Sequence, residues 1–180
     1  MTSTIEATKN ELPTGTWKAD TVHSSVAFEV PYAVATFNGE VPEFEASLVN
    51  GKLTGVARIA SITVKDENLQ AHLLSPEFFD AERHPEVRFE GAKFTRDGDR
   101  VTVEGEVTIK GITRPATLSG TITGPSIDHF GANRVGLSLE TTVDRTQHDI
   151  NWNMPLPNAE PALGNEVTLK ADLTLVAQEA

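Results

Sequence analysis

The sequence predicts an all-β domain of antiparallel strands, because apolar residues recur at every second position and turn residues separate the runs. Residues 100–110 show the period most clearly, with valine, isoleucine or glycine alternating with threonine, glutamate or lysine. Side chains of a strand point to opposite faces in turn, so each run has one buried face. Asn50-Gly51, Asp97-Gly98-Asp99 and Gly111 suit tight hairpin turns. About eight strands result, which can close into a barrel with room for a small ligand; a two-sheet sandwich has the same period and is the competing architecture.

The remaining strands follow from the same alternation. The segment Lys52–Ile62 alternates less regularly. In the next strand Val87 and Phe89 lie on one face, and Phe94 lies on the opposite face. Gly91 lies between them, which predicts a bulge or bend there. The other predicted inward-facing sets are Val26, Phe28 and Val30; Leu118, Gly120 and Ile122; Val135, Leu137, Leu139, Thr141 and Val143; and Val167, Leu169, Ala171, Leu173 and Leu175.

One segment interrupts the strands with a helical pattern. After Asp66, a residue suited to cap a helix, leucines are spaced at helical intervals. Ser75-Pro76-Glu77 has the cap, proline and acid typical of a second helix start, and that helix would carry Phe78 and Phe79. The sequence therefore predicts a short helical insertion near residues 66–80.

Length, charge and composition limit the domain organisation and the partners. The 180 residues predict one domain over residues 15–178, after a polar, flexible tail over residues 1–14. The net charge of −11 repels phosphate backbones and anionic membrane surfaces, which argues against nucleic-acid binding. No window is apolar enough for stable membrane insertion, and the N-terminus lacks the apolar core of a secretory signal, so we expect a cytoplasmic protein.

The motifs indicate no catalytic site and no metal site. The chain has no cysteine, and its five histidines include no His-x-His or His-x-x-x-His pair. Asp20, His23 and Ser24 are too close in sequence for a hydrolase triad, and we expect His23 to be a hydrogen-bonded structural residue of the first turn. Neither a nucleophile elbow nor a phosphate-binding loop motif is present.

Four segments, in this order and spacing, carry a family resemblance. They are Asp20-x-x-His23-Ser24; Ser61-Ile62-Thr63 with the run from His72 to Asp80 and His84-Pro85-x-Val87-x-Phe89; the run from Gly105 to Pro115; and Thr142-Val143-Asp144-Arg145 with Ile150-Asn151-Trp152-Asn153. Over Trp17–Val176 the chain thus resembles the YceI-like family of lipocalin-like barrels, which is implicated in binding polyisoprenoid chains. It departs from the family pattern at residues 68–71, where an Arg-Asp pair is usual, and at His148-Asp149, where an aromatic-glycine pair is common.

Small residues on the predicted inward faces suggest unfilled space inside the barrel. Gly55, Ala57, Gly105, Gly120 and Ala171 stand where bulky residues would fill a solid core. Apolar cavities of this kind stay dry and accept apolar ligands. Alternatively, the glycines relieve crowding between strands or let them bend.

Aromatic residues of the strands and apolar residues of the helical insertion are the candidates for lining such a cavity. A strand aromatic is more often part of a packed core, whereas a short helix at the mouth of a barrel is well placed to cap an opening. His72, Arg145 and Trp152 join them at the predicted rim, and residues 145–163 form an irregular loop suited to a lid. Arg145 is either a loop anchor paired with Asp144 or a contact to a ligand head group. The candidate ligand-binding residues are Phe28, Tyr32, Phe37, Phe44, Leu69, His72, Leu73, Phe78, Phe79, Phe89, Arg145 and Trp152.

The family resemblance and the small inward residues together predict non-enzymatic binding, transport or storage of an isoprenoid lipid or a similar long apolar ligand. A quinone-like lipid is included in that class, no other cofactor is implied, and a homodimer is left open. Two alternatives remain. An isomerase or hydrolase acting on an apolar substrate would need a titratable group inside the cavity. A solidly packed stress-response or interaction module would have a cavity smaller than the few hundred Å³ typical of ligand sites.

Overall fold

The structure, a computed structural model, describes residues 11–178 and consists of antiparallel strands with one short helix, as predicted. The helix α1 spans Glu67–Leu74, and 3₁₀ turns span Ile59–Ser61 and Arg145–His148. Of the predicted tail over residues 1–14, residues 1–10 lie outside the described residues, so the tail stays a prediction. The strands are β1 (Thr16–Ala19), β2 (Ser25–Tyr32), β3 (Ala35–Glu40), β4 (Phe44–Val49), β5 (Lys52–Arg58), β6 (Glu86–Asp97), β7 (Arg100–Ile109), β8 (Ile112–Ile127), β9 (Asn133–Asp144) and β10 (Glu166–Ala177).

Eight of these strands close into a barrel, which excludes the sandwich. From β4 to β10 each strand pairs with the next one in sequence, and β1 closes the ring by pairing with both β4 and β10. β1 pairs only with the C-terminal end of β10, where Trp17 lies opposite Ala177. The N-terminal half of β10 instead pairs with β2, and β3 adds to β2 as a hairpin.

Hairpin turns and two irregularities, one between β6 and β7 and one between β8 and β9, set the register of the strands. Asn50 and Gly51 both have positive φ values, 48° and 83°, as a two-residue turn between β4 and β5 requires. The β6–β7 register shifts between Gly91 and Lys93, which confirms the bulge predicted at Gly91. This extra residue explains why Phe94 falls out of phase with Phe89.

The helical insertion differs from its prediction after Ser75. Asp66 caps α1 as expected, because its side chain accepts a hydrogen bond from the Leu69 amide at 3.0 Å. The predicted second helix is replaced by a turn over residues 76–79. The chain folds back on the end of α1, where the Phe79 amide donates to the Leu73 carbonyl at 3.1 Å. The last carbonyls of a helix need such donors, and this turn supplies them.

A second difference concerns the predicted strand Lys52–Ile62. The strand β5 ends at Arg58, and a 3₁₀ turn follows at once. The Ile59 amide donates to the Pro85 carbonyl at 2.8 Å, so the chain turns toward residues after the insertion.

The connections divide between the two ends of the barrel. We call one the capped end, which carries α1, residues 75–85 and the loop 145–165. The other, the hairpin end, carries the β4–β5, β6–β7 and β8–β9 turns. Toward the hairpin end the interior is filled by side chains that are at most 4% exposed, namely Trp17, Leu48, Val103, Val135 and Leu175. Among the described residues, no helix has the length and apolarity to cross a membrane.

Candidate functional site: an apolar cavity in the capped half of the barrel

The half of the barrel toward the capped end encloses a cavity of about 180 Å³. Its walls are mostly apolar residues from β2–β10, and residues of α1, of the turn after it and of the loop 145–165 lie at its capped end. An apolar cavity of about 150 Å³ binds one benzene molecule, so this space holds roughly six or seven carbon-sized groups. Pockets that bury drug-sized ligands measure about 300–1,000 Å³. The cavity therefore falls below this range, which is the size expected of the solidly packed alternative, and its volume suits about one isoprene unit of an apolar chain.

Three of the small inward residues create this space. Gly55, Ala57 and Ala171 all line the cavity. At Gly55 an added Cβ would meet only the Glu45 carbonyl oxygen, at the ordinary contact distance of 3.7 Å. A side chain at this position would thus extend into the cavity without displacing the backbone.

Gly105 and Gly120 are small for a different reason, and the role in the cavity predicted for them is wrong. Neither Gly105 nor Gly120 is among the lining residues. An added Cβ would overlap the Glu90 carbonyl oxygen at Gly105 and the Ser138 carbonyl oxygen at Gly120. These glycines allow neighbouring strands to approach closely, which is the alternative considered from the sequence.

Most of the predicted ligand-binding residues line the cavity. Phe28 forms edge-to-face contacts with Phe37 and Phe79, each with ring centroids 6.0 Å apart, so the β2–β3 hairpin and the cap meet through aromatic rings. The predicted residues found in the lining are Phe28, Phe37, Phe44, Leu73, Phe78, Phe79, Phe89 and Arg145.

The structure places the other four predicted residues outside the lining. Tyr32 lies at the end of β2 and is 47% exposed, and Leu69 packs on the core from α1. His72 and Trp152 pack edge-to-face at 4.7 Å, and His72 contacts Phe78 at the same distance. These two rings support Phe78 from behind and so stabilise the cap.

Arg145 forms part of a polar pole in this otherwise apolar lining. Its Nη1 donates to the carbonyl oxygens of Ile150 at 2.9 Å and Trp152 at 2.8 Å, and its Nε donates to Gly164 at 2.9 Å. Arg145 is 4% exposed, and this burial lowers its pKa. Arg145 is therefore an anchor for the loop 145–165. Asp144 makes its hydrogen bonds to Thr146, whose hydroxyl and amide lower the pKa of that carboxyl group.

His148 is the second polar residue of this pole, and it was not among the candidates from the sequence. It lies at the end of the 3₁₀ turn that begins with Arg145, lines the cavity and is 1% exposed. Its Nδ1 lies 3.0 Å from the Ile112 carbonyl oxygen. The sequence signal for this residue was its departure from the aromatic residue common in the resembling family.

His23 has the structural role expected from the sequence. Its Nδ1 lies 2.7 Å from Asp20, and Asp20 also accepts from Arg134 Nη1 at 2.9 Å. Hydrogen bonds from His23 and Arg134 hold the pKa of Asp20 well below its usual range. Arg134 Nε also donates to Asp128 at 2.6 Å, which ties the first turn to the β8–β9 connection. Within residues 11–178, no three histidine, aspartate or glutamate side chains are grouped to hold a metal ion.

A closed antiparallel barrel with a capped apolar interior is the class of protein that this geometry defines. The family model described as the YceI-like domain matches residues 17–175, and the chain belongs to this family. The UPF0312 protein SA2479 of Staphylococcus aureus is 29% identical over 161 residues, which cover 84% of this chain and 92% of that one.

Two further comparisons cover different shares of this chain. The UPF0312 protein plu2095 of Photorhabdus laumondii is 28% identical over 100 residues, which span 56% of this chain and about half, 52%, of that relative. A solved structure of a polyisoprenoid binding domain from Saccharophagus degradans, implicated in plant cell wall breakdown, matches with a TM-score of 0.68. It is 10% identical and covers 92% of this chain and 100% of that chain, which is a likeness of fold.

Proposed function

We propose that this protein binds one apolar chain of the isoprenoid class in the capped half of the barrel and carries or stores it without chemical change. The observation that supports this most is the contrast between the two halves of the interior. The hairpin half is filled by large side chains, whereas Gly55, Ala57 and Ala171 leave the capped half open. The polyisoprenoid binding domain of Saccharophagus degradans has the same fold, which adds support for this ligand class.

Burial of the chain supplies the free energy of binding in this proposal. Each buried methylene contributes about 0.8 kcal/mol, so about six groups contribute roughly 5 kcal/mol before the costs of association. Apolar burial also gives a negative heat-capacity change on binding. We therefore expect affinity to rise with chain length until the cavity is full and then to level off.

The enzyme alternative needed a titratable group inside the cavity, and Arg145 and His148 meet that condition. General acid–base catalysis also needs a partner that exchanges the proton and a substrate atom that receives it. Arg145 is held by three backbone carbonyl oxygens. His148 Nδ1 lies beside the Ile112 carbonyl oxygen, which exchanges no proton. The small volume favours the packed-module alternative, but about 180 Å³ of apolar space remains unfilled. We therefore retain binding as the proposed function.

Native mass spectrometry of the purified full-length protein tests the proposal. The expected result is a protein species with additional mass. Organic solvent should extract from it an apolar chain that accounts for this mass. The variant Gly55→Leu should lose this species, because its side chain extends into the cavity. Protein that remains empty, and that takes up neither prenyl chains nor quinones when they are added, would contradict the proposal.

A further inference from the structure

We propose that His148 Nε2 accepts a hydrogen bond from a hydroxyl group on the bound chain, so that the ligand is an isoprenoid alcohol or phenol. This inference rests on the proposed function and specifies the polar end of its ligand. Three observations support it: His148 lines the cavity, its Nδ1 is hydrogen-bonded to a backbone carbonyl oxygen, and the guanidinium of the neighbouring Arg145 is already hydrogen-bonded to the protein.

The position follows from the 3₁₀ turn Arg145–His148. Residues three apart in a 3₁₀ helix lie on the same side, because the helix has three residues per turn. Arg145 and His148 are so spaced, and both line the cavity. The turn thus presents its two polar side chains together at the capped end.

The hydrogen bond of Nδ1 determines the role of the other ring nitrogen. A carbonyl oxygen only accepts, so Nδ1, which lies 3.0 Å from the Ile112 oxygen, carries the hydrogen. In the neutral ring Nε2 then has a lone pair and acts as an acceptor.

This acceptor borders the open space of the cavity. Within residues 11–178, His148 makes no hydrogen bond through Nε2. No side-chain nitrogen or oxygen sealed inside the described part of the chain lacks a partner. Nε2 of His148 therefore keeps some accessible surface, and we infer that this surface faces the cavity, because the residue lines it and is 1% exposed.

The chemistry of the pole selects a hydroxyl group. A hydrocarbon would leave the Nε2 lone pair unpaired in an apolar space, which is unfavourable. A quinone carbonyl, a carboxylate or a diphosphate has no hydrogen to donate to it. Arg145 offers little to an anion, because Nε and Nη1 are bound to carbonyl oxygens and Nη2 lies 3.4 Å from Asn165 Oδ1. An alcohol or phenol supplies the missing donor.

The test compares farnesol, a three-isoprene alcohol, with farnesyl methyl ether, which has the same chain but no hydroxyl hydrogen. Calorimetric titration of the full-length protein should show farnesol binding about tenfold more tightly, the effect of one buried hydrogen bond. His148→Leu should remove this difference. His148→Gln should retain part of it, because its amide can donate to Ile112 and still offer an oxygen to the ligand.

The outcomes separate this inference from the proposed function. Equal affinity of the wild type for both compounds would overturn the role of His148 and leave apolar-chain binding intact. A preference that persists in His148→Leu would overturn it as well. Binding of neither compound would refute the proposed function itself. If His148→Leu does not fold, the wild-type comparison and His148→Gln decide the question.

Discussion

Replacing Gly55 with leucine should make the protein more stable and its binding weaker, a combination that only an unfilled interior explains. Gly55 faces the cavity from β5, has no positive φ, and an added Cβ would meet its nearest neighbour at 3.7 Å. The four side-chain carbons of leucine would occupy more than half of the space estimated for six or seven groups.

The magnitude follows from burial and from strand propensity. Burying a leucine side chain stabilises by about 1.5–3 kcal/mol, and removing a glycine from a strand adds about 0.5–1 kcal/mol. We therefore expect Gly55→Leu to raise the free energy of unfolding by about 2–4 kcal/mol, which corresponds to a melting temperature roughly 4–15 °C higher. A ligand excluded from four methylene positions loses about 3 kcal/mol, or roughly a hundredfold in affinity.

Gly136→Leu is the matched control. Gly136 lies on β9 between the buried Val135 and Leu137, so its missing side chain points outward, and an added Cβ would meet Thr123 at 3.7 Å. Gly136→Leu should gain only the stability of about 0.5–1 kcal/mol that comes from removing a glycine from a strand. It should bind a prenyl chain as tightly as the wild type does. Urea unfolding and titration with farnesyl methyl ether measure both quantities. Lower stability in Gly55→Leu, or the same affinity in both variants, would refute the reasoning.

The remaining predictions concern a packing glycine and an acid-sensitive ion pair. Gly120→Ala should destabilise the protein by about 3 kcal/mol in urea unfolding, because its Cβ would overlap a carbonyl oxygen of β9; unchanged stability would contradict the close approach of β8 and β9. Hydrogen bonds from His23 and Arg134 lower the pKa of Asp20, and a hydrogen bond from Arg134 lowers the pKa of Asp128. Their contribution to stability is therefore present above about pH 4 and is lost as the pH falls further through the native pKa values. Arg134→Gln should therefore flatten the acid limb of the stability profile, and an acid limb as steep as in the wild type would show that this pair does not control it.

Local patterns were sufficient to predict the strands and their defects. The period of two placed the inward residues of β7, β9 and β10, and the glycine between two out-of-phase phenylalanines located the bulge. The cap of α1 was equally visible, since Asp66 satisfies a helix amide through its own side chain. Each of these features depends on residues close together in the sequence.

Features that depend on distant neighbours were not predictable in the same way. Gly55 and Gly120 both lie on inward-facing positions, and only the neighbouring strand shows that one opens a cavity and the other admits a carbonyl oxygen. The place of β2 and β3 beside β10 is a pairing across more than a hundred residues. His148 is a site residue because its 3₁₀ turn faces the cavity, an orientation that depends on the closed barrel.

A crystal structure of the protein as purified, without added ligand, tests the central claim most directly. The account predicts continuous, elongated electron density in the capped half of the barrel, beside Gly55, Ala57 and Ala171, with its polar end at His148. Side chains that close the space, or density that fits only separate water molecules there, would contradict it.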